Sequence, residues 1–218
     1  MKIVRQLIGL LQAAWIWQTQ PQQIMSVANT LFDDLTEKRW PALRKGNEFV
    51  LYVGFSGAGK TRHSLNCDYG NFVSIEVRNI HSVLNRTFHA LLDDDKTVTG
   101  RGYWARQWLT KWMRAALIEQ LCRRHYCIVD DGCNLVRAER AERLALAKKF
   151  GYKTTIVLVT CTEHELMERL KAMDRIKADL GESRTWLKLY YDVQRDRYQP
   201  PNAQEADLFI YVDTTQQL

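Results

Sequence analysis

Proline is scarce in this 218-residue chain, with four residues, and glycine stands at eleven. So little of either, with no low-complexity tract and no internal repeat, excludes a disordered or fibrous protein. Cysteine offers no framework. Cys67, Cys122, Cys127, Cys133 and Cys161 are odd in number and contain no Cys-x-x-Cys pair. Cys122 and Cys127 lack His or Cys neighbours at zinc spacing, so a zinc site is not indicated. Reduced thiols in a cytoplasmic protein are the expectation. Long apolar runs are missing too. Lys2 and Arg5 precede an apolar run from Leu7 to Trp17, the outline of a leader. Gln12 interrupts it, and Gln18, Thr19, Gln20 and Pro21 offer no small-residue cleavage site. A run this short cannot span a bilayer, so a first amphipathic helix and no membrane contact are expected.

What is present is ordinary in bulk: 46% hydrophobic and 26% charged residues. The length suits one α/β domain with an ample core. A formal net charge of +6 favours anionic partners such as nucleotides, phosphorylated metabolites or nucleic acid, or serves only solubility.

The chain divides at about residue 48. Residues 1–18 read as a helix stopped by Pro21. Residues 22–39 read as another, with Ile24, Val27, Leu31 and Leu35 at helical spacing, ended by Trp40-Pro41. Residues 1–48 are thus expected to be a helical N-terminal extension to a domain spanning 49–218. Beyond it the pattern changes. Five short apolar runs follow: 49–53, 72–75, 126–129, 154–160 and 208–212. Helical stretches near 79–92, 103–124, 136–150, 162–180 and 183–198 lie between them. Strands alternating with helices predict a mainly parallel five-stranded sheet in a three-layer α/β/α fold.

Gly54-Phe55-Ser56-Gly57-Ala58-Gly59-Lys60-Thr61 fits G-x-x-x-x-G-K-[ST]. Gly54 leaves the strand in a tight turn, and Gly57 and Gly59 let the backbone approach phosphate oxygens. Successive N–H groups at the start of a helix form an anion nest. Lys60 supplies a charge for the β- and γ-phosphates, and Thr61 offers a hydroxyl to Mg²⁺. The nucleotide-binding set is therefore Gly54, Ser56, Gly57, Ala58, Gly59, Lys60, Thr61 and the following Arg62. Such a loop needs a carboxylate on a neighbouring strand to serve Mg²⁺. Asp130 and Asp131, after the run Tyr126–Val129, supply it. Asp130 comes first after the run, and Asp131 points to the opposite face if the strand continues.

The phosphate loop, the segment Ile128–Asn134 and the following helix with Arg137 and Arg140 resemble the polynucleotide-kinase-like and zeta-toxin-like P-loop kinases, over residues 49 to 212 or so. In that group the second acidic strand is followed by Asn, here Asn134, and then by a helix carrying Arg. The resemblance implies ATP as donor and Mg²⁺ as cofactor. It implies an acidic base at the end of the second strand, where Glu76 stands, with His81 as the alternative. It also implies a lid arginine, and the segment 163–178 offers Arg169 and Arg175, with Arg184 beyond. Phosphoryl transfer spreads charge over equatorial oxygens, which such a cation stabilises.

Trp104, Trp108 and Trp112 recur every fourth residue among Arg101, Arg106, Lys111 and Arg114. Such a helix either stacks the bases of a single strand or buries an apolar stripe beneath a basic face. Asp93-Asp94-Asp95 reads as a solvated loop. The expected activity is ATP-dependent phosphorylation of a hydroxyl on a small molecule, a nucleotide or a polynucleotide. A P-loop ATPase or switch acting on a protein partner, and a non-catalytic nucleotide-binding module, are the alternatives. No residue names the acceptor, the base of the nucleotide or the oligomeric state.

Overall fold

A computed structural model describes residues 2–37, 42–67, 69–88, 92, 101–179 and 185–215. Trp40-Pro41, Asp93–Asp95 and Arg184 lie outside the described residues. Two helices come first, α1 (Lys2–Thr19) and α2 (Pro21–Thr36). Pro21 takes the first helical position of α2, where its missing N–H costs nothing. The rest alternates: β1 (Glu48–Val53), α3 (Lys60–Asn66), β2 (Val73–Glu76), α4 (Val77–Thr87), α5 (Arg101–Arg123), β3 (Ile128–Asp131), α6 (Arg137–Lys149), β4 (Lys153–Thr160) and α7 (Glu163–Asp179). Then come α8 (Trp186–Leu189), a π turn (Tyr190–Gln194), α9 (Arg195–Arg197) and β5 (Leu208–Asp213).

The five strands form one wholly parallel sheet in the order β2-β3-β1-β4-β5. β1 and β4 read as continuous apolar runs because helices and loops cover both their faces. On one face Phe49, Leu51, Val53, Ile75, Ile156 and Leu158 pack beneath α1, α2, α4, α5 and α6. On the other, Val50, Tyr52, Val129, Val157 and Val159 meet Ala58 of the phosphate loop and Phe72. α1 and α2 share the first core with the sheet, through Ala13, Ile16, Ile24, Val27 and Leu31.

Two boundaries differ from the sequence expectation. β3 begins at Ile128 and runs through Asp131, so both aspartates belong to the strand. Tyr126 instead makes an isolated antiparallel bridge to Lys45. α4 starts at Val77, directly after Glu76, and ends at Thr87. The chain leaves β1 towards β2 on one side and leaves β3 towards β4 on the other. A crevice beyond the carboxyl ends of these adjacent strands is where open α/β sheets bind ligands.

Candidate nucleotide site

The phosphate loop joins β1 to α3 at this crevice. Gly54 has φ +152°, and a Cβ there would come within 2.4 Å of the Val159 carbonyl oxygen, so no side chain fits. Its N–H donates to the Cys133 carbonyl at 3.1 Å, which ties the loop to the segment after β3. Gly57 has φ +83° and lies under Leu166 and Leu170 of α7. The N-cap of α3 is Gly59, so the loop amides lead into the positive end of that helix. Lys60 is buried, and its Nζ donates to the carbonyls of Gly54 at 3.0 Å and Phe55 at 2.7 Å. Arg62 and Thr61 are exposed at the start of α3.

Asp130 and Asp131 separate completely. The Thr61 hydroxyl donates to Asp131 Oδ2 at 2.8 Å, which puts a hydroxyl and a carboxylate oxygen side by side at the loop. Hard oxygen donors of this kind fit Mg²⁺. Asp130, the neighbouring residue, points through the other face and is wholly buried. Arg114 of α5 donates to its Oδ1, and Arg143 of α6 stands 3.8 Å from its Oδ2. Asn134, with φ +48°, accepts from Arg114 at 2.9 Å and from Arg143 at 2.6 Å, and donates to the Tyr52 carbonyl at 2.7 Å. Burial, and then repulsion by Arg114, pushes the Arg143 guanidinium down to about 10 against the pull of Asp130. This buried network fixes the turn that presents Asp131, and it takes Asp130 out of reach of a metal at Thr61. Among the described residues no group of three or more His, Cys, Asp or Glu side chains could hold a metal by itself.

Glu76 ends β2 in register with Asp131. Paired residues on neighbouring strands leave the sheet on the same face, so Glu76 stands beside Asp131 at the crevice. Arg78 lies 3.6 Å from its carboxylate. His81 lies one turn further along α4. Below the site, the Tyr52 hydroxyl and His63 Nδ1 are 2.8 Å apart. Burial lowers the pKa of His63, and burial with the Cys67 thiol raises that of Tyr52.

The arginines offered by α7 also part company. Arg169 is bound to the outside of the loop: Nη1 reaches Thr214 Oγ1 at 3.0 Å and the Gly57 carbonyl at 3.4 Å, and Nη2 donates to the Thr214 carbonyl at 2.7 Å. Glu165 pairs with it at 2.8 Å. Arg175 is exposed. Arg140 is fully buried, with donors on Glu205 and on the Asn134, Leu135 and Gln199 carbonyls, so it braces the turn after β3.

Two kinds of contributor were not foreseen from sequence. Arg114 and Arg143 hold Asp130. Arg114 falls in the inward register of Thr110, Leu117 and Leu121, and a cation in an apolar register signals a buried partner. Gln194 bonds to Ser56 of the loop. Its position depends on a π turn, for which the sequence carries no signal.

Comparison with known proteins agrees with this architecture. A family profile described as an AAA domain matches residues 49–201, more than half of the chain, and the chain belongs to that family. A solved chain from the PezAT chromosomal toxin–antitoxin system of Streptococcus pneumoniae is similar in fold. Its TM-score is 0.63 at 17% identity, over 84% of this chain and 81% of that one. A protein of Chloroflexus aurantiacus assigned as a kinase has a TM-score of 0.56 at 17% identity, over 80% and 91% of the two chains. No curated protein sequence matches. The fold is that of the zeta-toxin-like P-loop kinases named from the residues.

Proposed function

We propose that this protein is an ATP-dependent kinase that transfers the γ-phosphate to a hydroxyl of a small molecule. The observation that carries the reading is the alignment of Thr61, Asp131 and Glu76 at one end of the sheet. The loop amides and Lys60 hold the phosphates. Thr61 and Asp131, rather than Asp130, would provide oxygen ligands for Mg²⁺, which when bound would neutralise phosphate charge during transfer. Glu76 accepts the proton of the attacking hydroxyl, and its place next to Asp131 keeps it within the reach of a group so positioned. Of the two arginines of α7, the exposed Arg175 would stabilise the transferring group, since the donors of Arg169 go to Glu165, Thr214 and the Gly57 carbonyl.

A small acceptor is favoured over a polynucleotide by the tryptophan helix. Trp104 is buried in α5 and Trp112 packs edge-on against Trp17 of α1 at 5.3 Å. Arg106 and Arg114 are buried as well, Arg106 on Asn85 at 2.8 Å. Trp104, Arg106 and Arg114 are therefore core, and the partly buried Trp108 and Trp112 pack against it. No described helix is long and apolar enough to cross a membrane, and all five cysteines are free thiols. Both features suit a cytoplasmic enzyme.

The test is transfer of label from γ-labelled ATP with Mg²⁺, using 5′-hydroxyl oligonucleotides and a panel of hydroxylated metabolites. Lys60→Ala serves as control. Label on a metabolite that vanishes in the control is expected. ATP consumed with no acceptor labelled would overturn the reading in favour of an ATPase driven by a protein partner.

A further inference from the structure

The π turn Tyr190–Gln194 interrupts the helix between α8 and α9. A π turn inserts one residue into a helix, and such insertions gather at functional sites. Here Tyr190, Val193 and Gln194 are all turned inward. Tyr190 packs with Leu166 and Leu170, and Val193 with Tyr103 and Trp104. That leaves the Gln194 carboxamide, 6% exposed, against the phosphate loop.

Gln194 grips Ser56 twice. Its Oε1 accepts from the Ser56 N–H at 3.2 Å, and its Nε2 donates to Ser56 Oγ at 2.7 Å. The same Nε2 approaches Cys133 Sγ at 3.7 Å. Lys60 Nζ stands 3.8 Å from that sulfur, and Ser56 Oγ stands 3.5 Å from it. An ammonium, a carboxamide and a hydroxyl thus converge on one thiol. Sulfur is a weak acceptor, whereas donors of this number and charge match an anionic oxygen. Lys60 serves the β- and γ-phosphates, so the groups gathered around it share that end of the nucleotide.

We propose that Gln194 is a ligand of the terminal phosphate. Its Nε2–H donates to a γ-phosphate oxygen beside Lys60, while its Oε1 keeps the Ser56 amide in place. The inference rests on the nucleotide-binding reading above. It makes Gln194 the group by which the loop tells a triphosphate from a diphosphate.

The experiment measures dissociation constants for a non-hydrolysable ATP analogue and for ADP, each with Mg²⁺, by calorimetry. It uses the wild type, Gln194→Leu and Gln194→Glu. A hydrogen bond to a charged group is lost in both variants, so ATP-analogue affinity should fall about tenfold. ADP affinity should stay within about twofold. Gln194→Glu keeps the length and the acceptor for the Ser56 N–H but puts a negative charge beside the phosphate. Its loss for the analogue should be larger, with ADP again little changed, and it carries the test if the leucine variant does not fold. Equal losses for both nucleotides would overturn the proposal and make Gln194 a brace of the loop, as would unchanged affinity for both. Wild-type protein that binds neither nucleotide would sink the kinase reading and this inference with it. Normal wild-type binding with unaltered variants would sink the inference alone.

Discussion

Asp130 and Asp131 are neighbours in the chain, yet they belong to opposite faces of the sheet and have opposite surroundings. The first points under α5 and α6, among the side chains that α1, α2 and α4 also cover, and meets two buried guanidinium groups. The second points to the thinner face, where α3 and the phosphate loop lie, and meets one hydroxyl. Strand alternation is enough to send them apart. The thick face supplies rigidity, because Asp130, Arg114, Arg143 and Asn134 are buried there and bound to one another. The thin face supplies chemistry, because its polar groups sit at the crevice. The network around Asp130 links the two: Arg114 and Arg143 hold Asn134, and Asn134 sets the turn after β3.

The pair of aspartates gives the sharpest test of that division. Asp130→Ala leaves Arg114 and Arg143 buried without their carboxylate, and breaking a buried pair costs about 3–5 kcal/mol. Urea denaturation should show a loss of that size. Asp131→Asn should leave stability nearly unchanged while lowering phosphate transfer by about a hundredfold, as loss of a group that acts on transition-state charge does. If the alanine variant at 130 kept its stability, or the asparagine variant at 131 kept its rate, the two faces would not divide the labour as described.

A smaller effect belongs to Arg140 and Glu205. Burial alone would raise the Glu205 carboxyl, but hydrogen bonds and charge from Arg140 overturn this and hold it below its ordinary value. A depressed carboxylate adds stability that is complete above the unfolded value, about 4.3 for Glu. That stability is lost as pH falls through the folded value. Glu205→Gln should therefore cost on the order of 1–3 kcal/mol at pH 7, with the gap to wild type constant from about pH 5 to 8 and closing below about pH 4. A gap that persisted unchanged into acid would mean that shape, not charge, braces the turn.

Much of this was readable in advance, for identifiable reasons. The loop Gly54–Thr61 declares itself because few residue types tolerate its backbone. β1 and β4 declare themselves because parallel strands covered on both faces must be apolar. The choice between Asp130 and Asp131 stayed open because it turns on whether β3 ends before them or after them, a matter of two residues. Glu76 could be placed at a strand end, but its register with Asp131 comes from pairing between strands far apart in the chain. The roles of Arg169 and Gln194 depend on long-range contacts with Thr214 and Ser56, which no local pattern encodes.

The smallest expected effect lies on the outside of the thick face. Lys111 projects from α5 with its ammonium 5.7 Å from the Trp108 ring and 2.8 Å from Glu142 of α6. If α5 served as a strand-binding track, this lysine would contact phosphate, and Lys111→Ala would weaken oligonucleotide binding and flatten its salt dependence. If the helix is wall, the substitution removes a partly exposed ion pair worth about 0–1 kcal/mol. Titration of a fluorescent single-stranded oligonucleotide at two salt concentrations decides between them. The arrangement of Trp112 on Trp17, with Arg106 and Arg114 buried below, leads to the second outcome: unaltered binding at both salts and a thermal midpoint within about 3 °C of wild type. A clear loss of affinity would put recognition on the thick face and make a polynucleotide the acceptor to try next.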